Sequence, residues 1–311
     1  MRIKRILVTT DLSDASAAAY AHAGRLARTL GARLLLLHVD ELLELGVHDA
    51  SELEQYLQNA RDRRDQLIED GRGTLTEFGV DVEVMTRTGA ASEVICEVAE
   101  TREMDLIVMA KQGLRGLSRL LLGSTTRRVL RHLSRPLLVV DGTDEGADPP
   151  DVDDDAGGYQ RIVAATDFSL DSVRGARHAA ALGKLLDARV VLTHVLRLPV
   201  LVPVLPGETA LMLPDAFRGE LEAELLGRLQ QTCEDLGSEL VEPAVAINAG
   251  VAEGLLDQAA DADMLLIPSH GKGAVAATFL GSTTETLIKL SHKPVMVLPR
   301  RWLAARAADH M

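Results

Sequence analysis

The chain carries one sequence pattern twice, and this repeat constrains its fold more than any other feature. The segment from Arg5 to Val39 returns without a gap from Arg161 to Val195. A second matching pair starts at Asp105 and at Asp263, and both copies end in Gly-Ser-Thr-Thr. Repeats of this length indicate a duplicated domain, because solenoid repeats recur about every 20 to 50 residues. We therefore expect both halves to share a fold, and each half either to share the other's function or to have lost it.

Length and composition favour two ordinary α/β domains and argue against a nucleic-acid partner. Half of the 311 residues is close to the usual domain size. Aromatic residues make up only 3% of the chain, too few for a surface that stacks bases, and the net charge of −13 opposes binding to a phosphate backbone. We predict a first domain at 1–142, a second at 159–300 and a C-terminal tail at 301–311.

An acidic segment joins the two predicted domains. From Asp141 to Gly158 the chain has eight acidic residues and no basic one. Like charges repel one another and keep such a segment extended and solvated. We therefore assign residues 143–158 to a linker.

The sequence predicts no membrane partner. No uninterrupted apolar run approaches the ~20 residues of a membrane span, and the chain begins directly with a predicted strand. A proline-rich stretch from Leu196 to Gly207 is predicted to be a surface loop or lid, and it begins an insert up to Leu213 that the first half lacks. Cys96 and Cys233 show neither a metal-binding spacing nor a disulfide framework. We therefore expect a cytoplasmic protein.

Each half alternates short β-branched runs with helical stretches that start at Ser or Asp. Runs such as LLLLHV and VVLTHV are apolar on both faces, as expected of strands between two helix layers. The predicted strands are Arg5–Thr10, Arg33–Val39, Val80–Arg87, Asp105–Ala110, Pro136–Val140, Arg161–Thr166, Arg189–Val195, Leu240–Ile247, Asp263–Pro268 and Pro294–Leu298. The predicted fold class is α/β, with two tandem doubly wound domains, each a five-stranded parallel sheet flanked by about four helices. Such sheets bind ligands beyond the carboxyl ends of their strands.

An aspartate follows the first strand of each half at this edge. Thr10 and Asp11 end one strand, and Thr166 and Asp167 end its copy. In a structural role, the carboxylate or the serine that follows caps the first helix. In a functional role, the carboxylate accepts hydrogen bonds from a ribose or faces a metal bound to phosphates. The residues alone leave both roles open, because a cap is needed in both copies too.

The loop after the fourth strand carries a sharper pattern. In both halves a glycine is followed, after nine residues, by Gly-Ser-Thr at the start of a predicted helix: Gly113, Gly123, Ser124 and Thr125, and then Gly271, Gly281, Ser282 and Thr283. Glycines let backbone N–H groups close around phosphate oxygens, and a helix amino terminus attracts anions. Lys111, Arg115 and Lys272 are expected to add positive charge nearby. Turns need glycine in any case, but the identical spacing in both halves favours a phosphate site.

With these residues the chain resembles a tandem universal stress protein, and the resemblance covers both copies nearly end to end. Nucleotide-binding members of that family show Gly, two residues, Gly, nine residues, and then Gly followed by Ser or Thr. The later part is intact here, whereas the first glycine is replaced by Ala110 in one half and Pro268 in the other. A proline ring fixes the backbone and removes an N–H, while alanine adds only a methyl group. We therefore expect the first half to be the better nucleotide site.

The resemblance implies a bound adenine nucleotide, ATP or a relative, with Mg²⁺. It places the aspartates near ribose, the backbones of the strand-end valines near adenine and the glycine-serine turns on the phosphates. The implied nucleotide-binding residues are Thr10, Asp11, Val39, Ala110, Gly113, Gly123, Ser124, Thr125, Thr166, Asp167, Val195, Pro268, His270, Gly271, Gly281, Ser282 and Thr283. The resemblance also implies an internal pseudo-dimer through the fifth strands of the two halves, a homodimer of chains, an unidentified regulatory protein partner and a role in stress survival.

Three histidines lie in or next to the predicted site. His38 and His194 each precede a strand-end valine, and their apolar neighbours favour buried structural imidazoles over catalysts. His270 lies in the phosphate loop, where the first half has Gln112, so a required acid or base would be missing from the first half. We predict that His270 is an optional hydrogen-bond donor to phosphate.

No catalytic motif is repeated in the chain. The sequence lacks a Gly-x-Ser-x-Gly elbow, the Gly-Lys-Ser/Thr end of a Walker loop and a His/Cys metal cluster. Our interpretation is a nucleotide-responsive regulatory binder without a dedicated enzymatic activity. Two alternatives stay open, namely a non-nucleotide dimerisation or interaction module of the same fold, and a slow ATP hydrolase.

Overall fold

The computed structural model describes most of each half, namely residues 2–41, 50–112, 122–142, 158–197, 215–271 and 280–307. Backbone contacts divide the chain into two units, residues 2–158 and residues 159–311. Most of the predicted linker and of the proline-rich insert lies outside the described residues.

The described residues of the first unit alternate strands and helices. Its elements are β1 (Arg5–Thr10), α1 (Asp14–Leu30), β2 (Arg33–Asp40), α2 (Ala50–Thr76), β3 (Val82–Thr88), α3 (Ala91–Thr101), β4 (Leu106–Ala110), α4 (Ser124–His132) and β5 (Leu137–Val140). The strands pair in parallel in the order β3-β2-β1-β4-β5. Successive strands are added on one side of β1 up to β3 and on its other side from β4 onwards. The strand order therefore reverses between β1 and β4, and a crevice for a ligand is expected at their carboxyl ends.

The second unit repeats this order and adds a helix. Its elements are β6 (Arg161–Ala165), α5 (Leu170–Leu186), β7 (Arg189–Arg197), α6 (Asp215–Leu236), β8 (Val241–Asn248), α7 (Val251–Gln258), β9 (Met264–Pro268), α8 (Ser282–Leu290), β10 (Val295–Leu298) and α9 (Arg300–Ala307). Its strands are also parallel, in the order β10-β9-β6-β7-β8, and the reversal falls between β6 and β9. The predicted α/β class and parallel sheets are therefore confirmed.

Burial and caps explain why these segments fold as they do. Leu34, Leu36 and Leu37 of β2 are almost wholly inaccessible, as a strand between two helix layers requires. Helices α1 and α5 start at serine caps, where Ser13 and Ser169 accept a backbone N–H at 3.3 Å. None of the described helices is long and apolar enough to cross a membrane.

Helix α9 occupies residues that the sequence analysis assigned mostly to a tail. It begins directly after Pro299, whose carbonyl accepts the Leu303 N–H at 2.9 Å. Trp302 and Leu303 are 5% and 0% exposed, and the Trp302 ring packs on His178 of α5 with centroids 4.5 Å apart. The helix forms because this apolar pair is buried, and the first half offered no counterpart from which to predict it.

Candidate functional site

The hydroxyl of Thr10 holds the carboxyl end of β1. It accepts hydrogen bonds from the Tyr20 hydroxyl (2.6 Å) and the Leu12 N–H (2.9 Å), and lies 2.9 Å from Ser16 Oγ. Burial raises the pKa of Tyr20 above its usual value, so this hydroxyl stays protonated and donates. In the second half, Thr166 Oγ1 accepts the equivalent backbone N–H at 3.1 Å. The two threonines therefore fix the turn at this edge.

The strand-end aspartates shape the turn, and the serines that follow cap the helix. Asp11 Oδ1 accepts hydrogen bonds from the Ser13 N–H (3.2 Å) and the Ser13 hydroxyl. Asp167 Oδ1 accepts the Ser169 N–H at 3.0 Å. Each serine hydroxyl accepts an N–H three residues further on. The structural role that the sequence left open is thus filled in both halves, and both carboxylates are half-buried at the edge of the sheet.

Sequence reasoning missed the residue that follows each aspartate. Leu12 (φ +64°) and Phe168 (φ +60°) both have left-handed backbone conformations, which residues other than glycine rarely adopt. Such conformations cost about 1 to 3 kcal/mol and cluster at functional sites. Their recurrence marks this turn as conformationally constrained in both halves. The residue types gave no signal, because leucine and phenylalanine do not favour positive φ.

His38 and His194 clamp the turn from the neighbouring strand. Nδ1 of each ring lies within hydrogen-bond distance of the strand-end threonine carbonyl, 3.0 Å for Thr10 and 2.8 Å for Thr166. A carbonyl only accepts, so Nδ1 carries the proton in both rings. His38 is buried as predicted, whereas His194 is only half-buried. These contacts support the predicted structural role of both imidazoles.

An arginine from the long helix α2 completes the histidine contact in the first half. His38 Nε2 lies 3.2 Å from Asp40 Oδ1, and the Arg64 guanidinium bonds the other oxygen of that carboxylate at 2.7 Å. The Arg64–Asp40 contact is an ion pair, so a charged link joins α2 to the strand beside the turn.

In the second half an arginine from the long helix α6 also reaches the histidine's surroundings, but it contacts an aromatic ring instead of a carboxylate. The His194 and Phe168 rings have centroids 4.7 Å apart, and the Arg228 guanidinium lies 4.2 Å above the phenyl ring. Cations favour this position over a ring face because of the negative charge density there. The region around the histidine is thus supported by an ion pair in the first half and by a cation–π contact in the second.

The glycine-serine turns start α4 and α8 close against the preceding loop. The Gly123 N–H donates to Lys111 O (2.8 Å), and the Gly281 N–H donates to Ser269 O (3.0 Å). A Cβ at these glycines would lie 3.1 Å and 3.2 Å from the same carbonyl oxygens, so the close approach favours glycine. The N–H groups of both glycines are engaged in these bonds, so a ligand at this edge would meet the donors that follow.

Two threonine hydroxyls fasten these helices to the fourth strand. Thr126 Oγ1 donates to Ala110 O at 3.1 Å, and Thr284 Oγ1 donates to Pro268 O at 3.2 Å. Both threonines are buried. The helix starts are thereby held at the carboxyl ends of β4 and β9, where the reversal of strand order predicts a crevice.

Each helix start presents backbone donors at the edge. Neither α4 nor α8 has a side-chain cap, and their first intrahelical bonds are made by Arg127 and Glu285. The N–H groups of residues 124–126 and 282–284 therefore have no acceptor within their own helix. Ser124 is exposed and Thr125 half-buried, so their donors are reachable by a ligand. A helix start of this kind is suited to phosphate oxygens.

Lys111, predicted to add charge beside the phosphates, forms a buried ion pair instead. Its Nζ lies 2.8 Å from Asp141 Oδ2, and the two side chains are 4% and 6% exposed. Its charge is compensated there, so Lys111 adds little positive charge to the edge. In the second half a hydroxyl occupies this place: Ser269 Oγ lies 2.8 Å from His270 Nδ1 and accepts the Arg300 N–H at 3.2 Å.

The loop glycine of the second half lies against the strand-end aspartate. A Cβ at Gly271 would lie 2.7 Å from Asp167 Oδ2, so the structure brings these two predicted site residues together. Gly113, Arg115 and Lys272 lie outside the described residues.

The strand-end valines lie at the same edges as the other predicted residues. Val39 is half-buried and pairs in register with Arg87 of β3. Val195 is buried, and a Cβ at Gly254 of α7 would lie 2.8 Å from its Cγ1. The valine side chain thus packs under the helix, which leaves the strand backbone as the part that a ligand would meet.

Comparison with known proteins establishes the family. The profile of the universal stress protein family matches residues 2–141 and again residues 158–299, so the chain belongs to this family and carries its domain twice. A universal stress protein of Mycolicibacterium smegmatis is 27% identical over 302 residues, which span 95% of this chain and 97% of the relative. The resemblance seen in the sequence is confirmed.

Solved structures agree on the fold. A universal stress protein from Archaeoglobus fulgidus, 21% identical, superimposes with a TM-score of 0.69 over 95% of this chain and 98% of its own. At this identity the likeness concerns the fold alone. A universal stress protein solved in complex with cAMP is 23% identical and covers 46% of this chain, with a TM-score of 0.35.

Proposed function

We propose that this universal stress protein is a regulatory binder of adenine nucleotides, ATP or a relative, that supports stress survival. The observation that carries the proposal is the uncapped start of α4 and of α8, each fastened by a threonine to the strand beside the crevice. Backbone donors fixed in this way need little rearrangement to bind phosphates.

The residues of the first half fit such a ligand. Phosphate oxygens would meet the N–H and hydroxyl groups of Ser124 and Thr125, because these follow the bonded glycine. The ribose would meet the half-buried carboxylate of Asp11, and adenine would lie along the backbone at Val39. Mg²⁺ would arrive with the nucleotide, held chiefly by its phosphates.

The second half is proposed to be the weaker site. Pro268 has no N–H to offer where Ala110 has one. The Asp167 carboxylate lies against Gly271, where a phosphate would approach, and like charges repel. His270, a proposed phosphate donor, is buried and already bonds Ser269 through Nδ1, which limits its reach.

A dedicated catalytic activity is not part of the proposal. Among the described residues, no group of three or more His, Cys, Asp and Glu side chains could hold a metal ion. Burial, with a smaller contribution from Glu100, raises the pKa of Cys96 to about 11, which makes it a poor nucleophile at neutral pH. Slow hydrolysis of bound ATP is the alternative, with turnover far below the ~10 per second of a typical enzyme. Rapid, reproducible turnover that is lost in Asp11→Asn would favour the hydrolase.

Two measurements test the proposal. Mass spectrometry of small molecules released from the denatured chain should identify an adenine nucleotide carried through purification. Calorimetry with ATP, ADP and AMP should give micromolar or weaker affinity, and the absence of heat up to millimolar nucleotide would favour the interaction module. The pseudo-dimer, the homodimer, the protein partner and the cytoplasmic location stay predictions.

A further inference from the structure

The outer face of α4 and of the turn after it is strongly basic. Arg127, Arg128, Arg131 and His132 are exposed and Arg135 is half-buried. At about 100° per residue the four helical positions fall within an arc of about 140°, and Arg135 follows in the turn after the helix. We call these five side chains the basic face of α4. Nothing acidic interrupts it, since α4 contains no Asp or Glu.

No carboxylate neutralises this face within the part of the chain that the structure describes. None of the five side chains forms an ion pair there, and the one hydrogen bond recorded for them joins Arg127 to the carbonyl of Leu122 at 3.1 Å. So many uncompensated cations on one short helix repel one another. An anionic partner would relieve that repulsion.

The duplicated domain shows that the basic face is not required by the fold. In α8 the equivalent positions are Glu285, Thr286, Lys289, Leu290 and Lys293. Two of these side chains, Glu285 and Lys289, form an ion pair at 2.6 Å. Both helices nevertheless start at the same glycine and are fastened by the same threonine. The basic face is therefore a property of the first half alone.

We propose that the basic face of α4 is the docking surface for the chain's own acidic segment, residues 143–157. This segment contains seven acidic residues and no basic one, so its charge complements the face. Contacts between arginine and carboxylate are among the stronger charge-assisted hydrogen bonds. Several such pairs together contribute more than a single exposed pair.

The segment starts close to the helix that would receive it. The backbone of Lys111 joins the end of β5 to the start of α4, because its N–H donates to Val140 O at 2.7 Å and its carbonyl accepts the Gly123 N–H at 2.8 Å. The chain therefore leaves β5 beside the start of α4. Nine helical residues span about 13 Å, whereas fifteen residues of extended chain reach roughly 50 Å. The tether gives an effective concentration of about a millimolar, without any external partner.

A nucleic acid is disfavoured as the occupant. The chain carries a net charge of −13, which repels an approaching polyanion. Free DNA or RNA would also have to compete with an acidic segment that is already tethered beside the face.

Paramagnetic relaxation in the full-length chain tests the docking. A spin label on Asp151→Cys, in a chain that also carries Cys96→Ala and Cys233→Ala, should weaken the amide signals of residues 124–132 at least about twofold, but not those of 282–290. Raising the salt to about 0.5 M should restore these signals, because screening then shortens the reach of charges to a few ångströms.

Charge reversal provides the matched control. The triple variant R128E/R131E/R135E should abolish the broadening while its α4 amide shifts remain those of a helix, and K289E/K293E on α8 should leave the broadening intact. Broadening that survives the triple variant, or that is absent in the parent chain, overturns the proposal. So does equal broadening when the label and the isotope are on different chains. A short DNA duplex that binds the parent chain at physiological salt and is lost in the triple variant would assign the face to nucleic acid and also overturn it.

Discussion

The two halves support the same backbone frame with different side chains. In the first half, Lys111 and Asp141 form a buried ion pair just after the fourth and fifth strands. In the second half, the Ser269 hydroxyl links His270 to the Arg300 N–H at the same place. The bonds from glycine to loop and from threonine to strand are nevertheless the same in both. After duplication the chain thus retained the geometry of the helix start, while the electrostatics beneath it diverged.

The largest expected effect comes from breaking the ion pair of the first half. Asp141→Ala leaves the Lys111 ammonium buried without its carboxylate, which should cost about 3 to 5 kcal/mol of unfolding free energy. Ser269→Ala removes the hydrogen bonds of one hydroxyl and should cost about 1 kcal/mol. Urea unfolding followed by circular dichroism measures both.

A matched variant and a local probe sharpen this comparison. Replacing both charges, as K111M/D141L, should recover much of the loss, because it is the unpaired charge that destabilises. Trp302 is the chain's only tryptophan and is buried in the second half, so its fluorescence reports Ser269→Ala directly. Equal costs for Asp141→Ala and Ser269→Ala would mean that the two supports are equivalent.

The comparison also shows which structural features the sequence reveals. The ten strands that the structure describes were each predicted within two residues at both ends, because apolar runs and the duplication identify them independently. Strand ends in a parallel sheet share one edge, so the position of Asp11, Val39 and Ala110 also followed.

Side-chain contacts between residues that are distant in the chain could not be predicted from the sequence. Lys111 looks like a free cation in a phosphate loop until Asp141, thirty positions later, is placed beside it. The left-handed turn at Leu12 and the stack of Arg228 on Phe168 likewise depend on three-dimensional packing that no local pattern records.

A smaller effect, on ATP affinity, is expected from replacing Pro268, which ends the fourth strand of the second half. In a chain whose first site is disabled by Ser124→Asp, Pro268→Ala restores an N–H and backbone freedom to the second site. ATP affinity should then rise roughly threefold to tenfold, the value of about one hydrogen bond. Equilibrium dialysis with labelled ATP measures this. Unchanged or weaker binding would show that the proline is not what distinguishes the halves.

The smallest effect concerns the two arginines that support the histidines. Arg64→Met breaks an ion pair to Asp40 and Arg228→Met breaks a cation–π contact with Phe168, and each should cost about 0.5 to 1 kcal/mol. Only the first cost should shrink in about 1 M salt, because screening weakens partly exposed ion pairs. Urea unfolding at low and high salt compares them, and identical salt dependence would contradict the difference in chemistry.

ATP titration of the full chain with one helix start blocked at a time tests the central claim most directly. Aspartate in the first turn of a helix stabilises that helix, but repels phosphates bound there. Calorimetry should show that Ser124→Asp removes the tighter binding event, with at least about a tenfold loss of affinity, and that Ser282→Asp affects only the weaker one. Both variants should melt no lower than the parent chain. Undiminished ATP binding in the double variant would contradict the assigned site, and a larger loss from Ser282→Asp would reverse the ranking of the halves.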